Sequence, residues 1–525
     1  MILFDVIIIG SGPAGMAAAY ELQDRKVLML DIGNLPPKVS SFDKNLYDLK
    51  EERDLFSELI GDEFESLHNI DHKYLSPKLK APLMRFVTKD SEKLAPLESN
   101  EFEPAQSFAF GGLANAWGAG MLRFNDYDLK GFPIKSEDLN PFYDKLNDII
   151  GISGEHDDLS KFFGYEEKFQ PPHALSLLGN ELLSKYNEHR SFFNRNGIYI
   201  GKNRLGLLTE EKDGRSKCNY DNLEFYKPNI PSIYNPTYTI QRLVDQKKIK
   251  YEPHLIVKTY AEIDGGVEVI AENIKNQTIQ KFKARFLVLA AGCINTAKIV
   301  LNSYKDYETK LPILDNPISY IPFLVPKYIG NPIEKMQYSA QLVIVYDDPE
   351  SNQRLNGSFY GIGGPLKSDL FFEFPLSIKG NFASVKYLIP AIAIMQLFYS
   401  DKKSLENYLQ LKSDEKVRIT YKQISFTKLK IENHLINVFR RFGYFSHKLL
   451  CKFPAPGNSF HYAGCLPMSN SPKKYEVNKD GLLFLTKSVY VADSANFSAF
   501  PAKNHSYTIM ANSMRIASRL RMRMI

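Results

Sequence analysis

Polar side chains suited to acid–base and hydrogen-bonding chemistry cluster near the C-terminus of the chain. His461 lies in a glycine-bounded stretch, and Asp493 ends a short apolar run. Asn504 and His505 then precede a helix-like run that opens at Ser506. Brought together by the fold, such groups would converge on the reacting end of a cofactor. The sequence therefore indicates an enzyme.

The N-terminal residues carry the glycine pattern of a dinucleotide-binding turn. An apolar run over residues 3–9, suited to a buried parallel strand, is followed by Gly10-Ser11-Gly12-Pro13-Ala14-Gly15. Gly10 permits a tight turn, and Gly12 permits close approach of the backbone to a pyrophosphate. Gly15 permits close packing of the following helix, whose first amides face the anion.

A second apolar strand, residues 27–30, ends in Asp31, which follows Gly12 by 19 residues. A ribose-binding acid is expected about 20 residues after the glycines. The strand, the small-residue helix and the spaced acid together favour a dinucleotide site over a structural turn. The glycine pattern alone is compatible with FAD and with NAD(P).

Length, charge and cysteine content narrow the protein class. A chain of 525 residues exceeds the roughly 250–300 at which one hydrophobic core stops growing, so two domains are expected. A net charge of +6 without a dense Lys/Arg block argues against a nucleic-acid partner. The four cysteines show no CxxC and no metal-ligand spacing, so no metal site is expected and a reducing cytoplasm fits best.

Targeting and membrane-spanning signals are also not expected. A first strand at about residue 3 leaves no room for a signal peptide. The most apolar stretch, residues 388–399, contains a proline and is shorter than the ~20 residues that cross a bilayer. This stretch and the basic tail from Arg515 to Arg523 nevertheless suit an amphiphilic substrate or a peripheral membrane contact. Cations in the last turns of a capped helix explain the tail equally well.

Two internal segments contain further glycine-rich turns like the one near the N-terminus. Residues 108–120 hold four glycines, including Gly111-Gly112, and the only tryptophan, which permits close approach of the backbone to a flat ligand. Residues 285–301 read as a strand, a turn at Ala291-Gly292 and a helix. The nucleotide domain is therefore predicted to be assembled from separated pieces, and the Phe- and Tyr-rich block from residue 316 to residue 454 is assigned to a substrate-facing β-sheet layer.

At this point four segments resemble the glucose-methanol-choline (GMC) flavin oxidoreductases. They are the N-terminal glycine turn, Gly111-Gly112, Ala291-Gly292 with its helix, and the stretch from His461 onward. The family's Gly-Gly-Ser-Ser becomes Gly-Gly-Leu-Ala here, and its His-x-x-Gly-Thr ends in Cys465. Its Asn-Pro-Thr-x-Thr-Ile is recognisable at residues 504–509. The lost serines and threonine mean that substrate range and oxygen reactivity do not carry over.

The resemblance implies an α/β fold: a Rossmann-like FAD-binding domain built from discontinuous segments and an α+β substrate domain on an antiparallel sheet. We expect the first domain in residues 1–155, 195–310 and 455–525, and the second in residues 156–194 and 311–454. It also implies oxidation of a CH–OH group by hydride transfer to flavin N5. Non-redox lyases or a decarboxylase on the same scaffold, and a degenerate flavoprotein, are the alternatives.

Residue roles follow from position in the resemblance. His461 is the expected base, since a neutral imidazole has an unperturbed pKa of about 6.5. Asn504 is expected to hold the substrate oxygen, and a register shift of one would give that role to His505. The cofactor-binding residues expected are Gly10, Gly12, Pro13, Ala14, Gly15, Asp31, Gly111, Gly112, Asn115, Ala116, Val257, Ala291, Gly292, Asp493, Ser494 and Thr508.

Cofactor attachment and partners are the last expectations. Where some relatives carry a histidine that bonds FAD covalently, this chain has Ala116, so FAD is expected to be noncovalent. The substrate is expected to be a small alcohol, a sugar or an amphiphile, and the electron acceptor oxygen or a quinone. Aromatic residues suited to stacking or packing on it are Tyr320, Phe323, Phe371, Phe372, Phe374, Tyr387 and Phe398.

Overall fold

The computed structural model describes residues 4–41, 44–49, 52–63, 65–67, 76–335, 338–348, 353–362, 376–422 and 429–524. Phe371, Phe372 and Phe374 lie outside these residues. The strands are β1 (Phe4–Ile9), β2 (Val27–Leu30), β3 (Leu97–Ser99), β4 (Ile198–Lys202), β5 (Ile249–Glu252), β6 (Leu255–Ile263), β7 (Gly266–Asn273), β8 (Ile279–Leu289), β9 (Leu311–Pro312), β10 (Leu314–Asp315), β11 (Ile318–Leu324), β12 (Leu342–Asp347), β13 (Arg354–Gly361), β14 (Ile392–Phe398), β15 (Tyr408–Leu411), β16 (Val417–Thr420), β17 (Tyr462–Ala463) and β18 (Val489–Val491).

The α-helices are α1 (Pro13–Glu21), α2 (Leu46–Leu49), α3 (Arg53–Ile60), α4 (Ser91–Leu94), α5 (Ser136–Ile150), α6 (Ser160–Phe163), α7 (Leu177–Glu188), α8 (Arg190–Arg195), α9 (Pro236–Asp245), α10 (Cys293–Ser303), α11 (Ile378–Leu388), α12 (Lys430–Arg440) and α13 (Ser506–Met522). Short 3₁₀ helices cover Glu65–Leu67, Pro77–Lys80, Pro82–Val87, Gly112–Ala116, Leu223–Phe225, Pro326–Tyr328, Ile389–Ala391, Lys448–Leu450 and Ser494–Asn496.

A mainly parallel sheet brings distant parts of the chain to one edge. Its order is β5-β2-β1-β8-β7-β6, and β18 pairs in parallel with the C-terminal end of β8. The strand ends are in register: Ile9 lies opposite both Leu30 and Leu289, and Val491 lies opposite Leu289. The turns that follow β1, β2, β8 and β18 therefore meet at the carboxyl edge of the sheet, where ligands bind in sheets of this kind.

Small residues allow helices to cover this sheet closely. Pro13 occupies the first turn of α1, where its missing N–H costs nothing, and the alanines of the helix are buried. Ser513 of α13 donates a hydrogen bond to the Ala14 carbonyl at 2.7 Å. The last helix of the chain, α13, thus packs against the first, α1, and is hydrogen-bonded to it.

A second, antiparallel sheet faces the carboxyl edge of the first. Its order is β11-β14-β13-β12-β4. Because side chains alternate along a strand, one face packs in a core under α7 and α12, and the other lines the central cavity. β4 comes from the segment 195–310 that we expected in the nucleotide domain, but it pairs with β12 and extends this second sheet.

Smaller elements join the two layers. A four-stranded sheet has the order β3-β16-β15-β9, and β10 pairs with β17. Residues 388–399, the most apolar stretch, end α11 and form β14, which lies between β11 and β13 in the antiparallel sheet. Among the described residues, no helix has the length and apolar character needed to cross a bilayer.

Substituting Gly15 tests how closely α1 packs. A Cβ there would lie 1.9 Å from the Gly10 carbonyl oxygen. We expect Gly15→Ala to push α1 off the turn and lower the free energy of unfolding by about 1–3 kcal/mol, measured by urea denaturation. Gly12→Ala is the matched control, because no atom lies within 4 Å of its added Cβ. An equal loss in both variants would contradict the packing argument.

Candidate functional site

One large cavity separates the two sheets. Its volume is about 1620 Å³, above the roughly 300–1,000 Å³ of most ligand pockets. It runs from the Gly10–Gly12 turn, past His461, to the exposed 3₁₀ helix Lys448–Leu450. Most of the sequence-predicted site residues line it: Gly10, Gly12, Pro13, Ala14, Asp31, Gly112, Ala116, Val257, Ala291, Gly292, His461, Asp493, Ser494, Asn504 and His505.

The N-terminus of α1 forms one end of the cavity. Gly12 starts the helix in extended conformation, and no side chain caps it. Gly12 has negative φ, and a Cβ there would touch nothing, so the protein's own packing does not require a glycine. Open space before an uncapped helix N-terminus fits the pyrophosphate of a dinucleotide.

Asp31 lies beside this turn in a hydrogen-bonded pocket. The Ser11 hydroxyl donates to its carboxyl group, the Tyr251 hydroxyl donates to Oδ2 at 3.2 Å, and the Ile32 amide donates to Oδ1 at 2.9 Å. Burial raises the pKa of Asp31 to about 7, although these donors lower it. Additional donors, such as ribose hydroxyls, would favour the carboxylate.

The Asp493 carboxylate braces the turn after β8. Its Oδ2 accepts hydrogen bonds from the Gly292 amide at 2.9 Å and the Thr296 hydroxyl at 2.5 Å, and its Oδ1 accepts from the Ala495 amide at 2.9 Å. Burial raises the pKa of Asp493 to about 6. The aspartate thus fixes two cavity-lining turns relative to each other.

His461 is held by an asparagine that sequence reasoning did not single out. Asn316, fully buried at the end of β10, donates from Nδ2 to the carbonyls of Tyr399 at 2.9 Å and Pro501 at 3.0 Å. Its amide orientation is therefore fixed, and Oδ1 faces His461 Nδ1 at 3.2 Å. Only a protonated Nδ1 can donate to that oxygen, so Nε2 of the neutral imidazole carries the lone pair.

The backbone that carries His461 is fixed by the residue before Asn316. The buried Asp315 carboxylate accepts hydrogen bonds from the Gly457 amide at 3.0 Å and the Ser459 hydroxyl at 2.5 Å. Ser459 Oγ in turn accepts from the His461 amide at 3.0 Å. Burial raises the pKa of Asp315 to about 7. Asp315, the last residue of β10, and Asn316, which follows it, thus position the main chain and the ring of His461.

Aromatic rings enclose this imidazole. Phe398 stacks on His461 with ring centroids 5.0 Å apart, and His505 meets it edge-on at 4.4 Å. Burial lowers the pKa of His461 to about 3 and holds that of His505 well below its usual value. Both rings are therefore neutral at neutral pH.

The loop before α13 presents Asn504 to the same cavity. The Asn504 amide packs against Gly120, where an added Cβ would lie 3.4 Å from Asn504 Cγ. The preceding residue, Lys503, is buried and donates to the carbonyls of Arg123 at 3.1 Å and Phe162 at 3.0 Å, while pairing with Asp128. These contacts of the Lys503 ammonium group hold the loop that carries Asn504 in place.

Four expected cofactor residues do not line the cavity; they support its walls. Gly15 packs against Gly10, and the Gly111 amide donates to Ser11 Oγ at 2.9 Å. Asn115 donates to the Phe110 and Gly112 carbonyls and so closes the glycine turn. Thr508 Oγ1 is hydrogen-bonded to Tyr143 at 2.6 Å, on the opposite side of α13.

Cys465, which stands where the family has threonine, contacts another cysteine. Its Sγ lies 3.3 Å from Sγ of Cys293, and both side chains are buried. Burial holds the pKa of Cys293 well above its usual value. The pair fills the space behind the Gly292 turn.

Comparison with solved structures identifies the fold. The chain resembles the crystal structure of pyridoxine 4-oxidase from Mesorbium loti, with a TM-score of 0.59 over 98% of this chain and 99% of that chain. The fold class expected from the sequence is confirmed. Sequence identity is 12%, so the likeness concerns the fold alone. No protein-family model and no curated protein matches the sequence.

The tautomer and charge of His461 can be measured directly. In protein labelled with ¹⁵N-histidine, we expect the His461 resonances to report a neutral ring protonated on Nδ1. They should not titrate through pH of about 6.5, where an exposed imidazole is half protonated. Asn316→Leu should mix the two tautomers because it removes the acceptor. A His461 resonance that titrates near pH of about 6.5 would contradict this geometry.

Proposed function

We propose that the chain is an FAD-dependent oxidoreductase that oxidises a CH–OH group to a carbonyl. The observation that carries the proposal is a neutral imidazole with a fixed Nε2 lone pair, in the cavity that begins at the Gly10–Gly12 turn. FAD, when bound, supplies the acceptor for the hydride of the alcohol carbon. Every other requirement falls on residues of this chain.

Binding of the dinucleotide is assigned to the carboxyl edge of the parallel sheet. The uncapped N-terminus of α1 would hold the pyrophosphate, and Asp31 would accept the ribose hydroxyls. Val257, beside a bulge in β6, would offer backbone contacts to the adenine. Ala116 provides no nucleophile, which supports noncovalent attachment.

Proton removal is assigned to His461. Its Nε2 would accept the hydroxyl proton as the hydride leaves, while Asn316 holds the opposite nitrogen. Because burial disfavours an imidazolium, the ring remains an unprotonated acceptor across the neutral range. The Asn504 amide would donate to the substrate oxygen as negative charge develops there. His505, wedged between Phe500 and His461, is assigned to positioning the base.

Gly12→Ala tests the cofactor assignment. The methyl group meets no protein atom but would enter the space assigned to the pyrophosphate, so we expect FAD affinity to fall by about 1–3 kcal/mol, or roughly 5- to 150-fold. Equilibrium dialysis of the apoprotein with FAD measures it. Acid precipitation of the wild-type holoprotein should release all flavin to the supernatant; flavin retained on the precipitate would refute noncovalent binding.

His461→Ala tests the base. With FAD bound and oxygen excluded, we expect alcohol-dependent bleaching of the flavin to slow about 10²–10⁴-fold, followed by stopped-flow absorbance. Asn504→Ala should slow it about 10²–10³-fold, and His189→Ala, an exposed histidine outside the cavity, should leave it unchanged. An unaltered rate in His461→Ala removes the assignment, and turnover with the flavin staying oxidised would indicate a non-redox lyase instead.

A further inference from the structure

We propose that the chain docks on an anionic phospholipid surface through the rim of its cavity and takes an amphiphilic alcohol from that surface. The rim is defined as residues 376–388 and 445–452. The docking surface is inferred from the structure of the rim alone. The choice of an alcohol as substrate rests on the function proposed above.

The cavity floor changes from polar to apolar with distance from His461. Phe398, at one end of β14, stacks on His461, and Ile392, at the other end, lies six residues away. At ~3.3 Å per residue, this floor is about 20 Å long. Tyr320 and Gln396 lie near the His461 end and are hydrogen-bonded to each other. A ligand with one polar end and a long apolar body fits this gradient.

Apolar side chains continue from the floor to the outside. Leu324 pairs with Ile392 in the sheet and forms a backbone bridge to Phe445. Leu388, at the end of α11, and Leu450 also line the cavity there. The opening is therefore bordered by α11 on one side and by the 445–452 segment on the other.

The rim exposes apolar residues to solvent. Leu449 is 81% exposed and Ile378 is 72% exposed, and Leu376, Phe445 and Leu450 are also exposed. Single exposed leucines are ordinary on protein surfaces, but a group around one opening marks an interaction site. Ile378 lies seven residues before Val385, which packs toward the cavity-lining Ile362 and Ile392. Residues 378 and 385 share a helix face, so the exposed part of α11 extends an apolar surface that begins inside the cavity.

The charge of the rim selects an anionic surface over a second protein chain of mixed charge. The rim contains four lysines, Lys379, Lys386, Lys448 and Lys452, and no aspartate or glutamate. Exposed apolar residues flanked by lysines are typical of proteins that lie at a lipid interface, where anionic headgroups attract each cation.

Three of the four arginines in the basic C-terminal tail make contacts within the protein, and Arg519 is exposed. Arg515 is buried and donates to Asn512 Oδ1 and the Lys479 carbonyl, Arg521 pairs with Glu21, and Arg523 donates to the Tyr490 hydroxyl. These guanidinium groups hold the last helix in place. The membrane contact that the tail suggested from sequence is therefore assigned to the rim.

Vesicle sedimentation with the FAD-loaded full chain tests docking without turnover. We expect binding to vesicles of phosphatidylcholine with phosphatidylglycerol, weak binding to phosphatidylcholine alone, and loss of binding at high salt. The variant Ile378→Ser/Lys379→Glu/Lys386→Glu, whose residues lie outside the cavity, should lower the partition coefficient roughly tenfold or more. It should still oxidise a short, freely soluble alcohol at the wild-type rate.

The matched control is Ile279→Ser/Lys281→Glu/Lys283→Glu on β8, where an exposed isoleucine and two lysines lie away from the cavity. It should sediment with the vesicles like the wild type. Equal binding to neutral and anionic vesicles, or equal loss in both variants, would overturn the proposal. So would a wild-type dimer in light scattering that the rim variant abolishes, since a second copy would then cover the rim. The double variant Lys379→Glu/Lys386→Glu repeats the test with lysine changes alone if the triple variant unfolds.

The substrate half is tested separately. For alcohols presented in anionic vesicles, kcat/KM should rise with the length of the apolar chain, and the rim variant should lose that rise. A flat dependence on chain length overturns the amphiphile assignment. Failure of every alcohol to reduce the flavin would remove the proposed function while leaving the vesicle-binding result to stand or fall on its own.

Discussion

The hydrogen bond from His461 Nδ1 to Asn316 Oδ1 is the contact on which the chemistry of the cavity depends. An imidazole in an apolar enclosure has two neutral tautomers, and only one leaves Nε2 as an acceptor. Asn316 selects that tautomer because both hydrogens of its own amide are committed to backbone carbonyls. These carbonyls belong to Tyr399, next to the antiparallel sheet, and Pro501, in the loop before the last helix. One buried amide therefore couples the base to both layers of the protein.

Local sequence signals predicted the turns at the carboxyl edge of the parallel sheet because each residue there acts through its immediate neighbours. A turn, a close approach and a helix start need glycines at fixed intervals, and the acid follows from the length of one strand–helix–strand unit. The register of β1, β2, β8 and β18 then places all four predicted turns together. Burial of a strand on both faces leaves a continuous apolar run that is visible in sequence.

The hydrogen-bond partner of the His461 ring was not predictable in the same way, since this contact joins residues more than a hundred positions apart. Asn316 lies in an unremarkable Asp-Asn step after a two-residue strand, and nothing in its neighbourhood announces an acceptor for His461. Thr508 illustrates the converse. Its position in the motif suggested a cofactor contact, but residues 506 and 509 face the cavity, and residue 508 lies on another side of the helix, against Tyr143. The side of the helix on which residue 508 lies decides what it contacts, and the order of residues in a motif does not fix that side. The assignment of β4 to a domain likewise depended on a distant contact, because β4 pairs with β12 at the edge of the antiparallel sheet.

Burial lowers the pKa of the histidines in the cavity and raises the pKa of its carboxyl groups, so the two kinds of group change the stability of the fold in opposite directions as pH changes. The pKa of His461 falls from 6.5 to about 3, so the unfolded chain binds more protons in that interval and stability is lost as pH falls through it. The pKa of Asp31 rises from 3.8 to about 7, so the folded chain binds more protons there and stability is lost as pH rises. Asp315 and Asp493 act in the same direction as Asp31. A ligand whose hydroxyls donate hydrogen bonds to Asp31 would lower the pKa of Asp31 and favour its ionised form. The stability of the fold would then no longer fall through Asp31 as pH rises. Binding of such a ligand beside the Gly10–Gly12 turn would therefore stabilise the fold most near neutral pH.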